Sequence, residues 1–113
     1  MKIDIKPFSV NDAWQGRRYR TDTYKRFKRD LTLMLPSIKI DSKAYLRLDI
    51  TFGFSSSGSD IDNPLKPFID VITVNYKFND NRITELNIKK VLVKKGKEFI
   101  DFELKELTIN LKQ

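Results

Sequence analysis

The residues best suited to chemistry in this chain are four aspartates and one lysine between positions 60 and 80. One residue separates Asp60 from Asp62. Lys66 and Asp70 follow at intervals of four residues, and Asp80 comes ten residues after Asp70. In an extended segment side chains alternate, so an Asp-x-Asp pair places both carboxylates on the same side. Two negative charges that close together are unfavourable unless a cation lies between them. The spacing therefore predicts a metal site.

The composition narrows the kind of metal and the kind of chemistry. The chain has no cysteine and no histidine, which excludes disulfides, zinc fingers, thiol nucleophiles and histidine general bases. Carboxylate oxygens favour Mg²⁺, or alternatively Mn²⁺, over zinc or copper. A positively charged lysine such as Lys66 is not expected among the ligands of a metal ion alone. It suits a site that stabilises the extra negative charge on a phosphodiester under attack, and the positive end of a helix dipole would act in the same direction.

The same residues also have a purely structural interpretation. Asp62, Lys66 and Asp70 are spaced for two ordinary i,i+4 salt bridges, each contributing roughly 0.3 kcal/mol on a helix. Asp60 and Asp80 would then be turn and cap residues. Spacing alone leaves both interpretations open, and the basic charge elsewhere in the chain favours the metal site.

The net charge of +7 favours a polyanionic partner. It is concentrated in one segment, where seven basic residues accompany the single acid Asp22. Trp14, Tyr19 and Tyr24 lie in or beside this segment and could stack on exposed bases. The alternative is a solvated helix face with its aromatic residues turned to the core. The predicted DNA contacts are Arg17, Arg18, Arg20, Lys25, Arg26, Lys28 and Arg29.

The length of 113 residues predicts one domain, residues 1–113. Nothing at its start resembles a signal peptide and no apolar run reaches the length of a membrane span, so we expect a soluble cytoplasmic protein without a membrane partner. The first half predicts four segments from hydrophobic periodicity and turn residues. They are a short strand that contains Ile3 and Ile5 and ends near Pro7, an irregular polar stretch at 9–20, a helix from Thr21 or Asp22 to Leu35, and a strand at 45–54.

The second half places the acidic residues around a second helix. A serine-rich loop leads to Asp60, Asn63 is expected to be the N-cap, and Pro64 the first helical residue. The buried stripe of this helix is predicted to consist of Leu65, Phe68, Ile69, Ile72 and Tyr76. Two strands, at 83–94 and 98–107, are predicted to form a hairpin turning at 95–97. The order β-α-β-α-β-β indicates a two-layer α+β fold with both helices on one face of a small mixed sheet.

The acidic segment resembles the signature of the RusA family of Holliday junction resolvases. The matching pattern is Asp60-x-Asp62-Asn63-x-x-Lys66-x-x-x-Asp70, followed by Asn79-Asp80-Asn81-Arg82-Ile83. Similarity is good over the C-terminal two-thirds of the chain. It is looser at the N-terminus, where the residues from Ser9 to Asn11 precede the basic aromatic stretch.

The resemblance implies a RusA-like fold and a crossover junction endodeoxyribonuclease of phage or prophage type, acting in recombination and repair in a bacterial host cell. Such an enzyme is a homodimer that uses Mg²⁺ and nicks two strands of a four-way DNA junction symmetrically. Asp60, Asp62 and Asp80 match the metal-binding aspartates, and Lys66 matches the catalytic lysine.

Asn63 and Asp70 match supporting positions around the helix start. One departure from the family pattern concerns its later Asp-Asp pair, whose first member is Asn79 here. If the first position of that pair carried the ligand, metal affinity would fall. If the second position does, Asp80 retains it. Pro64 and Pro67 are unusual for this helix but compatible with its first turn.

Two other hypotheses remain beside the junction nuclease. One is a non-catalytic nucleic-acid-binding domain in which the basic segment does all the binding. The other is a nuclease for a different branched DNA. Candidate dimer surfaces are the exposed hydrophobic residues of the predicted hairpin and the tail residues Leu107, Ile109 and Leu111, for which core packing is the alternative use.

Overall fold

The computed structural model describes residues 1–8, the backbone of residues 14–15 and 19–20, and residues 22–108. The two helices are α1 (Asp22–Met34) and α2 (Leu65–Tyr76). A short 3₁₀ turn, Asp80–Arg82, follows α2. The strands are β1 (Lys2–Ile3), β2 (Trp14–Gln15), β3 (Tyr19–Arg20), β4 (Tyr45–Phe54), β5 (Ile83–Leu92) and β6 (Phe99–Leu107).

Four strands form one mixed sheet in the order β1-β6-β4-β5. β4 pairs in parallel with β5 and antiparallel with β6, and β6 pairs antiparallel with β1. Parallel neighbours need a crossover connection, which α2 supplies between β4 and β5. The predicted two-layer α+β fold with two helices and a small mixed sheet is confirmed.

The predicted hairpin between the last two strands is wrong, because β4 lies between β5 and β6. The chain does turn at Gly96, whose φ is 90°. The connection then crosses the end of β4, where the Val93 N–H donates to the Phe54 carbonyl at 2.7 Å. The most apolar strand takes the centre of the sheet, where it buries the most surface.

The stretch predicted to be irregular contains a small two-stranded sheet. β2 and β3 pair antiparallel, with Trp14 opposite Arg20 and Gln15 opposite Tyr19. The first strand is also shorter than predicted, since it ends at Ile3.

The core lies between the helices and one face of the sheet. Alternation along β4 buries Leu46, Leu48, Ile50, Phe52 and Phe54 on that face. Both helices add their apolar stripes to the same cluster, namely Tyr24, Phe27 and Leu31 from α1 and Phe68, Val71, Ile72 and Tyr76 from α2. The predicted stripe of α2 is confirmed at three positions, whereas Leu65 and Ile69 are only partly buried.

The other side of the sheet, here called the open face, is polar. Arg47, Asp49 and Thr51 of β4 alternate there with the buried residues. Arg47 pairs with Asp49 at 3.0 Å and approaches Glu85 of β5 at 4.0 Å.

Neither α1 nor α2, the helices of the described part of the chain, is long and apolar enough to cross a bilayer.

Candidate functional site

Asp60 and Asp62 lie in a turn that leads into α2, not in an extended segment as predicted. Asp60 accepts a hydrogen bond on its carbonyl from the Asn63 N–H at 3.4 Å, and Asp62 accepts one from the Leu65 N–H at 3.1 Å. The two carboxylates therefore do not share one side of a strand. The reason is local, because aspartate and asparagine favour turns over extended strands.

The helix begins one residue later than predicted. Pro64, not Asn63, is at the cap position of α2, and its side chain gives no capping hydrogen bond. Pro64 and Pro67 are both fully buried, so the prolines that seemed unusual in the motif serve as packing residues. The Asn63 side chain points towards the preceding turn instead, where its Nδ2 lies 3.5 Å from Oδ2 of Asp60.

Lys66 contacts two carboxylates that are ten residues apart in the sequence. Its Nζ lies 2.9 Å from Oδ1 of Asp70, one turn along α2, and 3.5 Å from Oδ2 of Asp80 in the 3₁₀ turn. The first contact confirms the predicted i,i+4 pair. The second depends on how the chain folds back after α2.

The two carboxylates keep Lys66 charged. Hydrogen bonding and Coulombic attraction from Asp70, followed by weaker attraction from Asp80, raise the pKa of Lys66 above its ordinary value of 10.5. About 60% of its side chain is exposed, so the charge is also available to a ligand approaching from solvent.

Asp80 is held in place by its neighbour Asn79. The Asn79 Oδ1 accepts a hydrogen bond from the Asn81 N–H at 3.0 Å and so caps the 3₁₀ turn that begins at Asp80. A carboxylate could accept the same bond. At the position where the sequence departs from the family pattern, the side chain therefore has a structural task.

The predicted metal ligands are not gathered into one cluster. Asp60 contacts Asn63, Asp80 contacts Lys66, and Asp62 is exposed with no ion-pair partner among the described residues. In the described part of the chain, no group of three carboxylates is placed to hold a metal ion. The donor chemistry nevertheless fits Mg²⁺, which commonly binds one or two carboxylates, keeps several waters and is completed by substrate phosphates.

Lys90 of β5 is a site residue that the sequence does not reveal. Its Nζ donates to the carbonyl of Ser57 at 3.0 Å and also to the carbonyl of Ser59. Lys90 thus ties the serine loop to the sheet immediately before Asp60. The contact spans more than 30 residues, so no short-range pattern could have indicated it.

A polar cavity of about 370 Å³ opens beside Asp60 and Asn63. Residues of the serine loop line it, together with Lys6 and Glu98. Ser55 donates a hydrogen bond to Glu98 at 2.7 Å, which lowers the pKa of that carboxyl.

Part of the predicted DNA-binding segment can be placed. Lys25, Lys28 and Arg29 line an open depression of about 500 Å³ along α1, together with Thr32 and Leu33. Arg29 also pairs with Asp30 at 3.3 Å. Arg26 is exposed on the same helix.

The remainder of that segment lies wholly or partly outside the described residues. Arg17 and Arg18 lie outside the described residues, and for Arg20 only the backbone in β3 is described. The side chains of Trp14 and Tyr19 likewise lie outside the described part. Tyr24 is buried and packs on Phe8 with ring centroids 5.6 Å apart, so its predicted role in base stacking is replaced by a role in the core.

No protein-family model matches the chain, and no curated protein sequence matches it significantly. The resemblance to the RusA family therefore depends on the acidic motif and the residues around it.

Proposed function

We propose that this protein is a Mg²⁺-dependent endonuclease that cuts branched DNA, with the four-way junction as its substrate and two copies of the chain acting as a homodimer. The observation that carries the proposal is the contact of Lys66 with Asp80. It joins the two halves of the acidic motif, since Lys66 and Asp80 are 14 residues apart along the chain.

The role we assign to Lys66 is electrostatic. Its raised pKa keeps the ammonium group protonated at neutral pH, so it cannot act as a general base there. A fixed positive charge instead stabilises the negative charge that develops on a phosphodiester under attack. Asp70 and Asp80 hold the ammonium group in place through their ion pairs.

Asp60, Asp62 and Asp80 are the residues that would hold the metal ion. When bound, Mg²⁺ would supply Lewis-acid activation of the phosphate and of an attacking water. All three carboxylates are exposed at the surface, where a phosphate group can complete the coordination. Lys90 supports this arrangement by fixing the serine loop that leads into Asp60.

The cationic surface of α1 supplies the contact with the DNA backbone. Lys25 and Arg26 are exposed on this helix, and Lys28 is half-buried. Contacts of this kind give affinity without base specificity and weaken as salt rises. Two symmetric nicks require two sites, which a homodimer provides.

The test is a gel assay on synthetic four-way junctions, three-way junctions and linear duplexes, in Mg²⁺ and in EDTA. We expect nicking of the four-way junction in Mg²⁺ only. Asp62→Asn should abolish cutting while junction binding persists or improves, because it removes a negative charge beside the phosphates. Asp4→Asn, at an exposed aspartate far from the motif in sequence, is the matched control and should cut normally.

An Asp62→Asn variant that cuts at the wild-type rate would end the nuclease proposal. Preferential cutting of the three-way junction would retain the nuclease and change its substrate.

A second candidate function is non-catalytic nucleic-acid binding. The cationic depression on α1 favours it, because that surface requires none of the acidic residues. This alternative predicts binding in EDTA, no cutting under any condition, and unchanged affinity when Asp60, Asp62 and Asp80 are replaced together.

A further inference from the structure

The outer edge of β5 is open in the described structure. β5 pairs with β4 on one side, and no other described strand pairs with it. It is 10 residues long and none of its residues is buried. A long unpaired edge of this kind is a template on which another strand can add.

The usual protections of an edge strand are weak in β5. It contains no proline, and its pairing with β4 is regular from Glu85 onward. Leu86 and Leu92 are 47% and 59% exposed. The Lys90 side chain turns towards the serine loop. Lys89 is therefore the remaining charged side chain in this half of the strand that opposes pairing with another strand.

The pairing with β4 fixes which side chains of β5 share a face. Glu85, Asn87 and Lys89 lie beside Arg47, Asp49 and Thr51 on the open face of the sheet. Leu86 and Ile88 lie beside Leu48 and Ile50 on the face that carries the helices. In an antiparallel pair, residues directly opposite each other must lie on the same face.

This pattern is complementary to itself in one register. When two copies of β5 pair antiparallel with Asn87 on the two-fold axis, Glu85 lies opposite the partner's Lys89, and Leu86 lies opposite the partner's Ile88. With Ile88 on the axis, Glu85 instead faces the partner's Val91. With Leu86 on the axis, it faces the partner's Asn87. The first register alone among these three gives two symmetric ion pairs.

The charges needed for these pairs are available. Glu85 is half-exposed and has only a long contact of 4.0 Å with Arg47. Lys89 is exposed and forms no ion pair among the described residues.

We infer that the partner of the β5 edge is a second copy of this chain, paired antiparallel with Asn87 on the two-fold axis. The two sheets then form one continuous eight-stranded sheet. The amino end of β5, which follows Asp80, lies beside the carboxyl end of the partner's β5, which leads to the partner's Lys94. The pairing itself does not rest on the proposed function, whereas its use for paired cutting does.

Cysteine cross-linking tests the register directly, because the chain has no cysteine of its own. Residues opposite each other in an antiparallel pair have Cα atoms about 5 Å apart, within disulfide range. Asn87→Cys should therefore cross-link the purified full-length chain into a dimer under mild oxidation. Thr84→Cys is the matched control on the same strand. In this register the two copies of residue 84 are about 20 Å apart, so it should stay uncross-linked.

Charge reversal tests the same interface at equilibrium. Glu85→Lys or Lys89→Glu alone should weaken the dimer about tenfold by replacing attraction with repulsion at two symmetric pairs. The double variant should recover wild-type affinity to within about threefold, because it restores both pairs in reversed order. Sedimentation equilibrium measures the dissociation constants.

A monomeric wild type, equal cross-linking at residues 84 and 87, or a double variant no better than the single variants would overturn the pairing. So would occupation of the edge by the chain's own tail, detected as cross-linking of Asn87→Cys within one chain to a cysteine placed at residue 110. The gel assay measures cutting whether or not the β5 edges pair, so failure of the pairing and failure of the nuclease are observed separately.

Discussion

Lys66 and the residues that place Asp80 beside it form the smallest unit of this protein with a chemical consequence. Lys66 is an ordinary helix residue with an ordinary i,i+4 partner, Asp70. What distinguishes Lys66 is its ion pair with a second carboxylate, Asp80, which lies in the 3₁₀ turn that Asn79 caps. The position of one amide oxygen thus influences whether the two halves of the acidic motif meet.

Replacing Asn79 should show whether its role is to cap the 3₁₀ turn. Asn79→Ala removes the acceptor for the Asn81 N–H, so we expect a loss of about 1 kcal/mol in the free energy of unfolding by urea, comparable to the loss of a helix cap. Asn79→Asp retains an acceptor and should unfold within about 0.5 kcal/mol of the wild type. Equal losses in both variants would show that the cap is not what Asn79 contributes.

At the scale of whole elements, β4 organises both the fold and the site. Its alternating residues bury one face, its two edges pair with β5 and β6, and its carboxyl end leads into the serine loop before Asp60. Close packing at that end depends on Gly53. A Cβ atom there would lie 2.4 Å from the ring of Phe99, the residue opposite Gly53 on β6.

Gly53→Ala should therefore destabilise the protein although alanine suits a strand better than glycine. We expect a loss of about 1–3 kcal/mol in the free energy of unfolding, because Phe99 must shift to make room. In a Phe99→Ala background the same substitution should cost almost nothing, since the clash is gone. A double-mutant cycle in urea measures the difference, and an unchanged cost in the Phe99→Ala background would contradict this explanation.

At the scale of the whole molecule, charge and pH act on the complete fold. The net charge of +7 favours a polyanionic partner, and the described part of the basic segment lies along α1. α1 and α2 contribute to the same core cluster, so the cationic helix and the helix of the acidic motif pack on one core.

The salt dependence of junction binding should report the cationic surface of α1. Lys25→Gln and Lys28→Gln should each lower the slope of log K against log salt by about 1, whatever the sequence of the DNA, if each lysine neutralises one phosphate. Lys43→Gln, at an exposed lysine outside the basic segment, is the control and should leave the slope unchanged. Fluorescence anisotropy in EDTA measures binding without cutting. Unchanged slopes in both α1 variants would place the DNA elsewhere.

Stability should fall at alkaline pH through Tyr76 and Lys66. Burial raises the pKa of Tyr76 above its ordinary value of 10.0, and its hydroxyl donates to the Pro36 carbonyl at 2.6 Å. For both groups the folded pKa is higher than the unfolded one, so their stabilisation is complete below pH about 10 and is lost as pH rises through the folded values.

Tyr76→Phe tests this pH dependence. At pH 7 it should cost about 1 kcal/mol in the free energy of unfolding through the lost hydrogen bond. Above pH about 10 it should make the stability curve less steep, because the phenol no longer titrates. Urea denaturation at a series of pH values measures both effects, and curves that stay parallel above that pH would contradict the role of Tyr76.

Several features followed from the sequence because they depend on local periodicity or composition. Alternation predicted β4, helical spacing predicted α1, and the i,i+4 interval predicted the pair of Lys66 with Asp70. The absence of cysteine and histidine limited the chemistry to oxygen ligands and lysine. Each of these inferences needs only residues within a few positions of one another, or a count.

The tertiary structure decided the rest. It placed β4 between β5 and β6, folded Asp60 and Asp62 into a turn, brought Asp80 to Lys66, and tied Lys90 to the serine loop. Strand order and such long-range contacts depend on which arrangement buries the most apolar surface over the whole chain, and no local pattern contains that information. The sequence determined which residues were available for chemistry, and the fold determined which of them meet.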